Sequence, residues 1–149
     1  MKKLMTLVTA AALLLSTSSF AVDTNKKVNE KALSAFAKAF SGATNVHWTE
    51  KDDYYLVEFK VGDTRFNVAY DEEGIMIASS KSLELDELPL TVKQAVNNKY
   101  PGYEVGNNAV ALTFEGQTDY LLTISNTRNV LHIKVSGKGS ISVEQKTDL

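Results

Sequence analysis

His47 and His132 are the two histidines of the chain, and there is no cysteine. A zinc centre wants three or four nitrogen or sulfur ligands, two of them usually close in sequence. These histidines stand far apart, one in each half of the chain, so they read as solvent-facing strand residues and no metal site is expected. The acidic runs Asp71-Glu72-Glu73-Gly74 and Glu50-Lys51-Asp52-Asp53 invite a calcium reading. Both lack the spaced oxygen ligands and terminal Glu of a calcium loop. Both suit hairpin turns, where Asp and Gly are favoured for backbone reasons. No Gly-x-Ser-x-Gly elbow and no Gly-rich phosphate loop occurs. Glu58 has Lys60 and Arg65 nearby, which reads as a solvated ion pair rather than an acid–base couple. The residues therefore predict no catalytic set, no cofactor and no enzyme.

The elements that position these residues follow from periodicity. A helix is expected from Asn29, a residue able to cap the first turn. Val28 and Leu33 are placed for a hydrophobic staple. Leu33, Phe36, Ala37 and Phe40 make one apolar face, and Gly42 stops the helix. Val46 and Trp48 alternate as a first strand. Tyr55, Val57, Phe59 and Val61 alternate with Leu56, Glu58 and Lys60, which is a half-buried strand. Gly62-Asp63 suits a type II′ hairpin that sets Phe59 against Phe66, Val57 against Val68 and Tyr55 against Tyr70. The Asp71–Gly74 loop, with Gly74 left-handed, pairs Tyr70 with Met76 and Val68 with Ala78.

Ser82 to Glu87 reads as an acidic linker. A second helix opens at Pro89, with Leu88, Val92, Val96 and Tyr100 recurring every four residues, and Pro101-Gly102 ends it. Strands are expected from Tyr103–Val105 into Ala109–Phe114, then at Tyr120–Asn126, Asn129–Val135 and Ser140–Gln145. The two halves match. The helices correspond at one constant offset (Phe36 with Val96, Phe40 with Tyr100) and the strands at a slightly longer one (Phe59 with Ile124, Val68 with Ile133, Gly74 with Gly139). The change of offset places five extra residues between Gly102 and Tyr120. Ile141 and Val143 then match Met76 and Ala78 as core positions. The fold class is α+β, two tandem repeats, each a helix followed by an antiparallel meander of about four strands.

The chain opens with a secretory pattern. Lys2 and Lys3 precede the apolar stretch Leu4 to Leu15, and Ser19-Phe20-Ala21 offers a cleavage site. Cleavage after Ala21 is expected, with 22–81 and 82–149 as the two repeats. The apolar stretch is short for a membrane span, and without cysteine there is no lipid anchor. Removing 21 of the 149 residues leaves 128. Losing two of 16 basic residues leaves 14 against 18 acidic ones, a formal charge of −4. No basic stretch exists to neutralise phosphates, so nucleic acid is not an expected partner. The location predicted is the periplasm or outside the cell, and stability must come from core packing alone.

Val46-x-Trp48, Tyr70-Asp71-x-x-Gly74, Leu88-Pro89 and Lys99-Tyr100-Pro101-Gly102-Tyr103 give a further clue. With the export signal and two sets of strands, they resemble the PepSY-like proteins of Bacteroidetes, described as β-lactamase-inhibitor-like. The resemblance spans nearly the whole mature chain. It implies two helix-plus-sheet units in tandem; together with the sheet-rich repeat and the missing catalytic set, it leads to the expectation of a non-enzymatic protein-binding or inhibitor-like module. Related folds include a secreted inhibitor of β-lactamases and propeptide domains proposed to restrain peptidases. This chain lacks the cysteines that cross-link the inhibitor.

One surface stands out. The expected register sets Leu56, Ala69 and Ile77 in a row on the face away from the first helix, with Ile75 on the same face and His47 beside Leu56. Glu58, Lys60, Arg65 and Asn67 border them. An apolar strip with a charged border is a contact surface for an envelope or extracellular protein. The matching row in the second half, Leu121, Lys134 and Ser142, is more polar. The alternative is a lipid or peptide held between the repeats, suggested by Trp48, Tyr54 and Tyr103.

Overall fold

The computed structural model describes residues 28–149. The expected export signal and the segment up to Lys27 lie outside the described residues. Among the described residues, two helices and eight antiparallel strands follow one another in chain order: α1 (Glu30–Ala39), β1 (Thr44–Glu50), β2 (Tyr55–Val61), β3 (Thr64–Tyr70), β4 (Met76–Glu84), a 3-10 turn (Leu85–Glu87), α2 (Leu90–Lys99), β5 (Glu104–Phe114), β6 (Gln117–Ser125), β7 (Asn129–Ser136) and β8 (Ile141–Asp148). The chain forms two compact units, one ending at Ser80 and the other running from Lys81 to Leu149.

In the first unit, α1 starts where expected. The Asn29 carboxamide oxygen accepts the Ala32 N–H at 2.9 Å, which satisfies one of the free donors of a first turn. The buried stripe differs from the expectation. Ala32 and Phe36 are buried, while Leu33 is 40% exposed and Ala37 is exposed. The Phe36 ring explains the rotation. It sits 5.6 Å from Phe40, 5.4 Å from Trp48 and 5.0 Å from Phe59, edge-on to the last two. Aromatic contacts of this kind outweigh one leucine. The helix ends with the Phe40 N–H on the Phe36 carbonyl, and Gly42 has no left-handed φ. The left-handed residue of this connection is Asn45, φ +53, at the bulge where β1 joins β2.

The β2–β3 hairpin has the expected register, with Phe59 opposite Phe66, Val57 opposite Val68 and Tyr55 opposite Tyr70. Gly62 takes φ +60 and Asp63 does not turn left-handed, the pattern of a type II′ turn. Val57, Phe59, Val68 and Tyr70 face α1 and complete a core rich in rings. At the next turn the Asp71 N–H donates to the Ile75 carbonyl, and Gly74 has φ +77. The Asp71 carboxylate accepts the Glu73 and Ile75 N–H groups at 3.0 and 2.8 Å. That carboxylate therefore serves the turn. Met76, expected in the core, is 43% exposed.

In the second unit, the expected linker is corrected. Ser82 to Glu84 finish β4, and Leu83 and Leu88 are both buried. The acidic side chains alternate outward, which hid the strand. In α2, Val92 and Val96 are buried and Tyr100 packs beside them, as the four-residue recurrence predicted. The core is aliphatic: Leu122, Ile124, Leu131, Ile133 and Val135. Ile124 pairs with Leu131, Leu122 with Ile133 and Tyr120 with Val135. Val143, expected in the core with Ile141, is 47% exposed.

The five extra residues have definite places. In β1, Thr44 and Trp48 pair with Lys60 and Val57, whereas in β5, Glu104 and Ala109 pair with Ser125 and Leu122. One extra residue thus enters the bulge of β5. The other four lengthen the β5–β6 hairpin, which closes at Phe114 and Gln117 around Glu115-Gly116. Both turn residues are left-handed (φ +49 and +75), the type I′ geometry. The β7–β8 turn has the same bonds as that at Asp71: Ser136 N–H to Ser140 O, Gly139 N–H to Ser136 O, and Ser140 N–H to Ser136 Oγ.

Candidate functional site

Strand alternation divides the residues of β2 and β3 between two faces. With Val57, Phe59, Val68 and Tyr70 against α1, the opposite face shows Leu56, Glu58 and Lys60 of β2 and Arg65, Asn67 and Ala69 of β3. Register joins them in rows: Leu56 with Ala69, Glu58 with Asn67, and Lys60 with Arg65. From β1, Thr49 stands opposite Leu56 and His47 opposite Glu58. The expectation that His47 lies beside Leu56 is therefore corrected by one row, because the β1–β2 turn at Asp52-Asp53 fixes the count.

Burial grades this face into a floor and a border. Leu56, Ala69 and Asn67 are buried, at 8%, 5% and 8% exposure. Ile77 and Lys60 are half-buried, and Glu58, Arg65 and His47 are exposed. Ile75 is 61% exposed. The apolar row is thus a floor, and Ile75 is the apolar group that stands out from it. Sequence reasoning missed Ser80. Its hydroxyl accepts from Asn67 Nδ2 at 3.2 Å in a buried position. The closure at Asp71 and Ile75 puts odd-numbered residues of β4 on the Ala69 face, yet Ser80 reaches that face too. The alternation therefore slips by one residue along β4, as at a bulge. An Asn within the apolar alternation of β3 was the signal that a polar partner lay near.

Charge is distributed unevenly. Among the described residues, neither Glu58 nor Lys60 has an ion-pair partner, so the pair expected of Glu58 with Lys60 or Arg65 is absent. On the corresponding face of the second unit, polar side chains contact one another. Thr123 Oγ1 lies 3.0 Å from His132 Nδ1. Lys134 Nζ lies 3.8 Å from Glu144 Oε1, which also accepts the Ser142 hydroxyl at 2.7 Å.

The remaining candidates have structural duties. Trp48 packs on Phe36 and Tyr70, and the Tyr103 hydroxyl bonds Asn129 Oδ1 at 2.8 Å. Burial raises the pKa of Tyr54 and of Tyr70. Among the described residues, no three His, Asp or Glu side chains cluster to hold a metal ion, and no helix is long and apolar enough to cross a membrane.

No protein-family model matches the chain, and no curated protein does. Solved structures do. A DUF2874 family protein from Bacteroides uniformis is 20% identical, with a TM-score of 0.65 over 82% of this chain and 90% of that one. A protein from Bacteroides eggerthii, provisionally described as periplasmic, is 19% identical, with a TM-score of 0.66 over 83% and 90%. A BLIP-like protein from Bacteroides fragilis is 19% identical, with a TM-score of 0.64 over 85% and 89%. At this identity the likeness concerns fold alone, and by fold the chain stands with these BLIP-like and DUF2874 proteins of Bacteroides.

Proposed function

We propose that this chain is an exported, non-enzymatic protein-binding or inhibitor-like module that engages its partner through the first unit's open face. One observation carries the reading. Among the described residues that face leaves Glu58 and Lys60 without ion-pair partners and Ile75 exposed beside an apolar floor, whereas on the corresponding face of the second unit Thr123 bonds His132 and Lys134 pairs with Glu144. Unsatisfied charge around an apolar seat is what a contact surface offers before its partner arrives.

Cleavage after Ala21 and release into the periplasm or beyond belong to the same reading, supported by the charged, apolar and small-residue pattern from Met1 to Ala21. So does a tandem duplication into 22–81 and 82–149. Its support is the recurrence of the hairpin register and turn bonds at a constant offset, Phe59 matching Ile124 and Gly74 matching Gly139. The PepSY-like kinship rests on the motifs around Trp48, Gly74 and Pro101.

The test is affinity capture from host envelope extract with the wild type and with a folded Ile75→Glu, Ile77→Glu variant. Loss of a specific partner from the variant is expected. Capture of the same partners at equal strength overturns the assignment of this face.

A further inference from the structure

One flank of α1 fixes where the other points. Lys31 lies against Gly74 of the β3–β4 turn, as Thr91 and Ala95 of α2 lie against Gly139 of the β7–β8 turn. Leu33 and Ala37 stand about 100° round the helix from the buried Ala32 and Phe36, on the flank away from that turn. They therefore face β1. On this flank the first unit is apolar and open. Leu33 is 40% and Val46 42% exposed, Ala37 is exposed and Trp48 is half-buried. β1 ends the sheet, so among the described residues no strand lies on its outer side.

The second unit covers the equivalent place. From Lys81 on, β4 belongs to that unit and lies beside β5. Leu83 is buried there, and Leu85, two residues on, packs against the same core. That core includes Ala109, which pairs with Leu122 as Trp48 pairs with Val57. The counterparts of Leu33 and Ala37 are the polar Lys93 and Asn97, and the Lys93 ammonium donates to the Asp86 carbonyl at 2.9 Å. The helix offset matches Leu83 and Leu85 with Asp23 and Asn25 in sequence, so the chain before α1 offers no apolar pair for the first unit's flank. A second copy fits poorly, because symmetric pairing about His47 brings the left-handed Asn45 of each copy into the ladder.

We propose that α1 and β1 form a seat for one extended segment of a partner protein, apolar at alternate positions, that adds to the edge of β1 as a strand. Its backbone bonds the outer groups of His47 to Thr49, the regular stretch beyond the bulge. Its apolar side chains lie among Leu33, Ala37, Val46 and Trp48, as Leu83 and Leu85 lie against the core of the second unit. The intervening side chains take the side of His47 and Thr49. This seat is separate from the open face and does not depend on it.

Trp48 is the single tryptophan of the chain, so its fluorescence reports the seat. The probe is acetyl-Lys-Ser-Leu-Glu-Leu-Asp-Glu-amide, the sequence of residues 81–87. The control has Ser in place of both Leu. The probe should shift Trp48 emission saturably with Kd near ~1 mM, and the control should bind about tenfold more weakly. Bound probe should also slow amide exchange along β1. Leu33→Lys, at an exposed position, should weaken probe binding about tenfold and leave the melting temperature unchanged. No shift up to about 5 mM, equal binding of the control, undiminished binding to the Leu33→Lys protein, or a shift without slowed exchange in β1 each overturns the proposal. A dimer of the free protein that Leu33→Lys dissolves would give the seat to a second copy and overturn it too. None of these results bears on the open face, which the Ile75→Glu, Ile77→Glu capture tests.

Discussion

The two units solve the same packing problem with different side chains. The first fills the space between helix and sheet with Phe36, Phe40, Trp48, Phe59, Phe66 and Tyr70, whose neighbouring rings lie about 5 to 6 Å apart. The second uses Leu, Ile and Val on an equivalent register. A hairpin register set by turn chemistry thus accepts either kind of core. The difference lies in tolerance, since rings interlock by geometry and branched aliphatic groups interlock by volume.

The largest contrast should come from the two matching turn glycines. A Cβ on Gly74 would meet the Lys31 carbonyl carbon and oxygen at 2.7 Å, in a backbone with φ +77. Those atoms belong to α1 and cannot yield cheaply. On Gly139, φ +88, the nearest atom is the Ala95 Cβ at 3.3 Å. Gly74→Ala should cost at least about 3 kcal/mol and Gly139→Ala about 1–2 kcal/mol, read by urea denaturation. Similar costs would show that the first turn is not tied more tightly to its helix.

Core substitution comes next. Phe59→Leu removes ring contacts to Phe36, Phe40 and Phe66. It should cost about 2–3 kcal/mol, against less than about 1.5 kcal/mol for Ile124→Leu in the second unit, where volume is conserved. Thermal melts of the two variants measure the difference. Equal losses would dissolve the distinction between the cores.

Much of this fold was legible in the sequence. Gly62-Asp63 and the alternation of Phe59, Phe66, Val57 and Val68 dictated a register, because a slip of one residue would turn every apolar side chain outward. The five extra residues could be counted but not located, since a bulge and a longer hairpin leave the same count. The stripe of α1 was misplaced because periodicity weighs Leu33 like any apolar residue, while packing weighs the Phe36 ring more. The candidate face was legible as a set of residues. Its division into floor and border was not, because strand alternation gives the face of a residue and not its burial, and Asn67 signals a polar partner without saying that Ser80 supplies it.

Tyr70 offers a smaller test of the aromatic unit. Its hydroxyl is buried and has no hydrogen-bond partner among the described residues, and its second-unit counterpart is Val135. Tyr70→Phe should leave stability unchanged or raise it by up to about 1 kcal/mol. Burial holds the Tyr70 pKa above its ordinary value of 10.0. The folded state then keeps its proton where the unfolded chain loses it. Stability is full below about pH 10 and falls as pH rises through the raised pKa. Tyr70→Phe should reduce that alkaline loss, and Tyr54 should retain part of it. An unchanged alkaline profile in pH-dependent melts would contradict the assignment.

The smallest effect belongs to the hairpin that lengthens the second unit. Glu115 holds φ +49 in its turn. Asn adopts that backbone more readily, so Glu115→Asn should add about 0.5 kcal/mol. A loss of stability would mean that the Glu115 side chain does more than occupy the turn.

The central claim is that the two open faces differ in use, the first binding a partner and the second bonding itself. Site-specific photocrosslinking in host cells tests it most directly, with the reactive group placed at exposed Glu58 or at exposed Ser142. The account predicts a discrete adduct with one envelope or extracellular protein from position 58 and none with that protein from position 142. Equal adducts from both positions, or an adduct from 142 alone, would contradict it.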